Sequence, residues 1–398
     1  MKEQTFDYLI IGAGIIGLTL ARNILEKYPK SSIAIIDKEP EIGFHSSGRN
    51  SGVLHAGFYY TSDSLKARFT KEGCLFWRDF CERNNLKINK CGKVVVCKNE
   101  EELETLYELK KRGDTNKVPL YIIDQKELKD YEPNAKTYKK ALWSPLTATV
   151  DPKEILNHLK KDLEYRGVKF FFNTAYKHKV DDNSIVAGNC VFHYKKLINT
   201  AGLYADAIAK DFGFSQDYII IPFKGVYLEY TGTDKPLKTN IYPVPNIKNP
   251  FLGVHYTIKV DGTIKIGPTA TPAFWRENYN KFNKFKLDEF IQIIKWETLL
   301  FLTNAFGFRN LALEEIKKYN REYLIDQAVS MVEKIDKSKF NKWGKPGIRA
   351  QLLNTKTKKL EMDFLVEGDD KTVHILNAVS PAFTASYPFT KWVVEKYL

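Results

Sequence analysis

Three glycines, Gly12, Gly14 and Gly17, follow an apolar run, and Asp37 closes a second apolar run about 20 residues further on. These residue types at these spacings suit the pyrophosphate and ribose of a dinucleotide. Gly12 permits a tight turn, Gly14 lets backbone approach a pyrophosphate, and Gly17 lets helix and strand pack closely. A helix starting here would offer free N–H groups and the positive end of its dipole to phosphate. Asp37 can accept hydrogen bonds from ribose hydroxyls. Two other stretches can bring backbone close to a ligand. Residues Gly43–Gly57 are rich in Gly, Ser and His, and Lys196–Asp206 reads as a strand, a small-residue turn and a helix start.

The elements that must position these groups are legible from periodicity. Tyr8–Ile11 and Ile33–Ile36 read as buried strands flanking a helix from Ile15 to about Tyr28. Helices are expected over Ser64–Asn84, 100–112 and Glu154–Arg166, and strands over Lys93–Cys97 and 168–172. Residues 219–270 hold several strands separated by Gly and Pro, which suggests an antiparallel sheet. Residues 285–335 read as helical throughout. The chain closes with a strand at Val373–Asn377, a turn at Ala378–Ala382 and a helix from about Phe383. Dinucleotide-type elements lie at the start, middle and end, with the antiparallel sheet between them, so two domains are expected to interleave in the sequence.

At 398 residues the chain is too long for one simple core. Net charge is +13, yet only 11 of the 61 basic residues are Arg, and no nucleic-acid motif is present, which argues against nucleic acid. The Lys excess fits AT-rich coding as well as it fits a functional reason, an anionic membrane surface or an acidic substrate. Five cysteines, an odd number with no C-x-x-C pair, suggest reduced thiols inside the cell. The chain enters its first strand directly, so no targeting segment is expected. No apolar run reaches the ~20 residues of a membrane span. Leu287–Phe308, flanked by Lys281, Lys284 and Lys286, reads as an interfacial helix, with a second lysine cluster at Lys334–Lys345 interleaved with Phe340 and Trp343. The expected location is the cytoplasm, with the inner face of an anionic membrane as a candidate partner.

From the loop His45-Ser-Ser-Gly-Arg-Asn-Ser-Gly-Val-Leu-His-Ala-Gly-Phe-Tyr-Tyr60 onward, the chain closely resembles the L-2-hydroxyglutarate oxidase/dehydrogenase family, within the D-amino-acid-oxidase and glycine-oxidase superfamily. The likeness continues in Ser64-Leu-Lys-Ala-Arg-Phe, Cys91-Gly-Lys, Ile198-Asn-Thr-Ala-Gly-Leu-Tyr-Ala-Asp, Phe251-Leu-Gly-Val-His-Tyr-Thr, Pro346-Gly-Ile-Arg-Ala-Gln and Ser380-Pro-Ala-Phe-Thr. It implies an α/β fold: an FAD-binding Rossmann-like domain (1–88, 146–218 and 345–398) interleaved with an α+β substrate domain (89–145 and 219–344) built on an antiparallel sheet. It also implies non-covalent FAD, oxidation of a small 2-hydroxy acid to a 2-oxo acid, and electron transfer to a quinone or oxygen. Two motifs depart from the family pattern, which usually has Arg and Glu where Lys224 and Val226 stand, and Gly where Ala148 stands.

Such chemistry needs a base for the hydroxyl proton and cations for the carboxylates. Histidine suits the base because its pKa lies near neutrality. His255, in the expected substrate sheet, is the first candidate and His55 the second. Arg349 resembles the carboxylate-binding arginine of amino-acid oxidases; Lys224 and Arg276 are candidates for a second carboxylate, and Tyr60 for the substrate pocket. Around FAD the resemblance places Gly12, Gly14, Gly17, Asp37, Lys38, His45, Ser46, Gly48, Arg49, Ser51, Gly52, Ala201, Gly202, Pro381, Ala382, Phe383 and Thr384. Arg49 would stabilise charge on the cofactor or brace its loop. The setting of His45 resembles the histidyl–flavin link of dimethylglycine dehydrogenases, and no metal is implied. Two rival readings are an amine or amino-acid oxidase on the same fold and a flavin-binding module without turnover.

Overall fold

In a computed structural model, residues 2–246 and 251–398 are described; residues 247–250, within the span expected for the substrate domain, lie outside them. The first strand runs Lys2–Ile11 and sits at the centre of a sheet. Ile33–Ile36 pairs parallel on one side, followed by Lys169–Phe171. Cys190–Asn199 pairs parallel on the other side, and the C-terminal half of that strand carries Thr372–Asn377. Alternate residues of these strands enter different cores. Ile10, Ile33 and Ile35 pack with the first helix, Ile15–Lys27, and with the C-terminal helix, Ala382–Tyr397. Leu9, Ile11, Ala34 and Ile36 pack with Ile185, Phe192 and Ile208 on the opposite face. Both faces are covered, which is why these strands are apolar runs without alternation.

The glycine requirement is visible in the packing. A Cβ on Gly17 would lie 2.0 Å from the Gly12 carbonyl oxygen, so helix and strand could not approach as they do. Gly12 has φ +110°, and a Cβ there would lie 2.6 Å from the Thr200 carbonyl oxygen.

A second sheet runs Phe340–Trp343, Leu228–Tyr230, Ile264–Gly267, His255–Ile258, Asn240–Pro243, Lys93–Val96, Lys140–Ser144 and Tyr121–Asp124. It is mixed rather than purely antiparallel, because Asn240–Pro243 runs parallel to Lys93–Val96. A third, four-stranded sheet contains Tyr218–Gly225 and Gly347–Asn354, antiparallel along their length. Gly347–Asn354, expected with the cofactor segments, therefore shares a sheet with a strand that leads into the substrate segment.

Residues 285–335 divide into Leu287–Thr303, Phe308–Lys317 and Arg321–Val329. The single helix expected over Leu287–Phe308 breaks where Asn304, Phe306 and Gly307 take left-handed conformations. Phe340, expected beside lysines on a surface, is fully buried in the core of the second sheet.

Candidate active site

A cavity of about 1440 Å³ runs from the Gly12 turn to the strand bearing Arg349. It exceeds the roughly 300–1,000 Å³ of a small-ligand site. Gly12, Gly14, Asp37, Lys38, His45, Ser46, Arg49, Ser51, Ala201, Gly202, Pro381, Ala382, Phe383 and Thr384 all line it. Gly48 and Gly52 stand behind the wall with Gly17: a Cβ on either would lie 2.4 Å from the carbonyl oxygen of Gly43 or Val150. These three shape the cradle without reaching the cavity.

The lining fits a dinucleotide. The first helix follows Gly14, which supplies no side-chain cap, and has no acid in its first turn; Ile15 N–H donates to Ser47 Oγ at 3.0 Å, and the rest of the helix start faces the cavity where phosphate would sit. Asp37 is held in place by two backbone amides, from Ala13 (2.7 Å) and Glu39 (2.9 Å), and its carboxylate retains lone pairs for ribose. The C-terminal helix likewise starts at the cavity without a side-chain cap or first-turn acid. Thr384 Oγ1 accepts the His55 amide N–H at 3.2 Å, joining that helix to the loop.

Arg49 braces the loop. It donates to the carbonyls of Phe44 (2.8 Å) and Pro346 (3.3 Å) and lies over the Tyr279 ring. His45 has both ring nitrogens engaged, Nδ1 with Tyr279 Oη at 2.7 Å and Nε2 beside Lys38 Nζ and Glu39 at 3.1 Å. Lys38 also donates to Glu277 at 2.6 Å, and Lys284 donates to Glu39 at 2.7 Å and contacts Glu277 at 2.9 Å. Glu39 and Glu277 were not singled out from sequence, and Lys284 was read only as a flank of the interfacial helix; 239 residues separate Lys38 from Glu277, and no local pattern signals the pairing.

At the other end His255 opens its strand and faces the cavity, while its neighbours Val254 and Tyr256 turn into the core. His255 is 5% exposed and stacks on Tyr242 with centroids 3.8 Å apart. Its Nδ1 lies 2.9 Å from the Gly253 carbonyl oxygen. A carbonyl only accepts, so Nδ1 carries the proton and Nε2 keeps a lone pair. Burial, reinforced by His55, Lys93 and Arg349 and opposed by the Gly253 carbonyl, holds its pKa well below the ordinary histidine value. His55 is 7% exposed, and burial with the charges of Lys93 and Arg349 pushes it down to about 3. Its Nδ1 has no hydrogen-bond partner among the described residues. Both rings are neutral at neutral pH, which moves any imidazole titration away from the neutral range expected from sequence.

Arg349 pairs in register with Phe223, lines the cavity and lies 5.0 Å from the Phe251 ring centroid. No carboxylate lies within ion-pair distance of it among the described residues, and burial lowers its pKa. Tyr60 lines the same end.

The other two expected cations do not belong to this group. Arg276 is 3% exposed and forms a bidentate pair with Asp206 at 2.6 and 3.0 Å, with a further bond to the Leu203 carbonyl. Its guanidinium is already engaged and does not line the cavity. Lys224 pairs with Ile348, one position along from Arg349, so alternation turns its side chain to the opposite face.

A family model described as FAD dependent oxidoreductase matches residues 7–395. The mitochondrial L-2-hydroxyglutarate dehydrogenase of Caenorhabditis briggsae is 35% identical, over 98% of this chain and 93% of its own length. The protein of the same name from Caenorhabditis elegans is 34% identical over the same shares. Among solved structures, dithionite-reduced L-alpha-glycerophosphate oxidase from Mycoplasma pneumoniae with FAD bound has a TM-score of 0.75 at 22% identity, covering 98% of this chain and 94% of its own; that likeness concerns the fold.

Proposed function

The chain belongs to the FAD-dependent oxidoreductases and, among them, to the L-2-hydroxyglutarate dehydrogenase family, and from that membership we propose that it oxidises L-2-hydroxyglutarate to 2-oxoglutarate. The observation that carries the reading is the pairing, at one end of the cavity, of a half-buried guanidinium with no acid partner among the described residues and a neutral imidazole whose Nδ1–H meets the Gly253 carbonyl, leaving Nε2 as the acceptor. Arg349 holds the carboxylate next to the reacting carbon through its planar fork. His255 Nε2 takes the hydroxyl proton, and the Gly253 carbonyl then stabilises the charged ring through Nδ1–H. Tyr242 behind the ring fixes its plane. Bound FAD supplies the acceptor for the hydrogen and electron pair leaving the substrate carbon. The residues named above around the Gly12 turn, the 45–51 loop and the start of the C-terminal helix would hold it.

Within this proposal the cofactor domain comprises 1–88, 146–218 and the chain beyond Asn354, and the substrate domain comprises 89–145 and 219–354. The boundary at 354 follows the pairing of Gly347–Asn354 with Tyr218–Gly225. Electrons pass on to a quinone or oxygen. The helices of 287–317 expose Leu287, Ile291, Leu302, Leu313 and Ile316, which supports contact with an anionic inner membrane face from the cytoplasm. No helix among the described residues is long and apolar enough to cross a membrane.

Anaerobic mixing of the purified yellow protein with a panel of hydroxy acids and amino acids tests the reading. Bleaching by L-2-hydroxyglutarate is expected. Bleaching by amino acids alone would make it an amino-acid oxidase, and bleaching by none would leave a flavin-binding module.

A further inference from the structure

With Arg276 and Lys224 removed from the cavity, the second carboxylate of a dicarboxylic substrate needs another cation. The cations that line the cavity differ in what they already hold. Lys38 and Lys284 are bound to Glu39 and Glu277. Arg49 donates to two backbone carbonyls, and Arg112 to Glu108 and the Tyr59 carbonyl. Lys286 pairs with Glu289, and Lys177 is exposed to solvent. Lys66 is different.

It stands in the first turn of the helix Leu65–Arg83, lines the cavity and is 6% exposed. Its ammonium forms no ion pair among the described residues. The acid whose charge reaches it, Asp363, also accepts the backbone amides of Leu65 (2.7 Å), Lys66 (3.0 Å) and Phe364 (2.9 Å). Around Lys66 Nζ lie the rings of Tyr60 and Phe364, at 5.9 and 6.0 Å. Arg349 is close enough for its charge to work against that of Lys66. Two cations thus stand at one end of one cavity, Lys66 buried and Arg349 half-buried, repelling each other, with no carboxylate within ion-pair distance of either among the described residues; Asp363 and Glu315 act on them only from further off. A buried charge without a partner is costly. A ligand with two carboxylates relieves both at once.

We propose that Lys66 holds the second carboxylate of a dicarboxylic substrate whose first carboxylate lies on Arg349, and so sets the preference for dicarboxylic over monocarboxylic 2-hydroxy acids. The division of labour follows from the side chains. Arg349 fixes orientation at the reacting end through two parallel bonds, whereas Lys66 is a point charge on a flexible stem that accepts a carboxylate without dictating its plane. The proposal rests on the 2-hydroxy-acid reading above, but it can be tested without turnover.

The probes are glutarate and butyrate, which share one carboxylate and differ by the second, titrated calorimetrically into the FAD-loaded protein. Wild type is expected to bind glutarate about 10–150-fold tighter than butyrate, the worth of one hydrogen bond to a charged group. In Lys66→Met the ratio falls to near one, with butyrate affinity unchanged; Lys66→Arg keeps most of the preference. A second measurement needs no variant that removes the charge. Burial, with Arg349 adding to it and Asp363 opposing, pushes the Lys66 ammonium down to about 8. The glutarate preference of wild type therefore declines as pH rises through about 8, and Lys66→Arg removes that decline. Tyr60, whose pKa burial raises, stays neutral across this range.

Wild type binding glutarate no better than butyrate overturns the proposal, as does equal weakening of both ligands in Lys66→Met or a preference that is flat through pH 8–9. The reaction fails separately: glutarate preference without bleaching by L-2-hydroxyglutarate refutes the oxidation and leaves the subsite. Bleaching by L-2-hydroxyglutarate without glutarate preference does the reverse.

Discussion

Replacing His255 with alanine removes the Nε2 lone pair while leaving Arg349 and the cofactor cradle intact. A positioned general base contributes about 10²–10⁴-fold to proton transfer. That corresponds to about 2.7–5.4 kcal/mol at 1.36 kcal/mol per decade. Ground-state binding should change far less, because among the described residues the imidazole hydrogen-bonds to Gly253 and stacks on Tyr242, not on a carboxylate-binding group. The loss of the stack is worth about 0.5–1.5 kcal/mol, small beside the expected rate effect. Anaerobic stopped-flow reduction at saturating substrate measures the step directly. The pH profile adds a second handle. Because burial favours the neutral ring, the base is competent throughout the neutral and alkaline range. Lowering the pH removes activity only when Nε2 is protonated, so the acid limb of kcat/KM lies below pH 6.5 in wild type, and it is absent from the residual activity of His255→Ala. Near-wild-type reduction by His255→Ala together with a large loss in His55→Ala would move the role to His55. A wild-type limb at or above pH 6.5 would refute the claim that the ring is buried and neutral.

Arg349→Lys should lower kcat/KM for the substrate by about 10–150-fold, since one arm of a charged bidentate contact is worth about 1.5–3 kcal/mol, while FAD stays bound; unchanged kinetics would exclude Arg349 from the site. Gly17→Ala should yield colourless, destabilised protein, because its Cβ would lie 2.0 Å from backbone oxygen; a yellow variant with wild-type melting temperature would contradict the packing. Arg276→Met should leave Asp206 buried without its partner and cost about 3–5 kcal/mol of stability, with KM of the folded fraction unchanged; a raised KM at unchanged melting temperature would restore Arg276 to the site. Acid precipitation should leave the yellow colour in the supernatant, since both ring nitrogens of His45 are already engaged; colour in the pellet would establish a covalent link.

The parts legible in the sequence are those fixed by nearest neighbours. The Gly12–Asp37 unit could be read because its turn, helix start and strand end are set within one continuous stretch. The cations could not be sorted this way. Arg276 and Arg349 look alike as isolated arginines. What separates them is Asp206, which is 70 residues from Arg276 and meets it only in the fold. Lys224 was misplaced by one step of strand alternation, which only the register with Ile348 resolves. Lys66 sits in the first turn of a helix, where a lysine reads as solvent-facing; its burial comes from Tyr60 and Phe364. Asn304 and Gly307 are the residue types that end helices in a left-handed conformation, but the apolar residues running on through Phe308 masked the break.

Overall basicity did not identify the functional cations, because most of the lysines are on the surface. Three inward-facing cations matter. Arg349 and Lys66 line the substrate end of the cavity, and Lys93 lies behind its wall, 0% exposed, with Nζ 4.5–4.7 Å from the ring centroids of Phe58, Tyr59 and Tyr242. Ring faces attract a cation but do not neutralise it, and burial pushes Lys93 down to about 7. The charges of Lys93 and Arg349 are among the causes that keep His55 and His255 neutral. The positive field proposed to draw a dicarboxylate therefore also disfavours protonation of His255. Once carboxylates sit on Arg349 and Lys66, they offset part of that field, and the affinity of His255 Nε2 for a proton rises. Under the proposed roles, substrate binding and base strength are coupled through charge, and the imidazole becomes a better acceptor when the hydroxyl proton is within its reach.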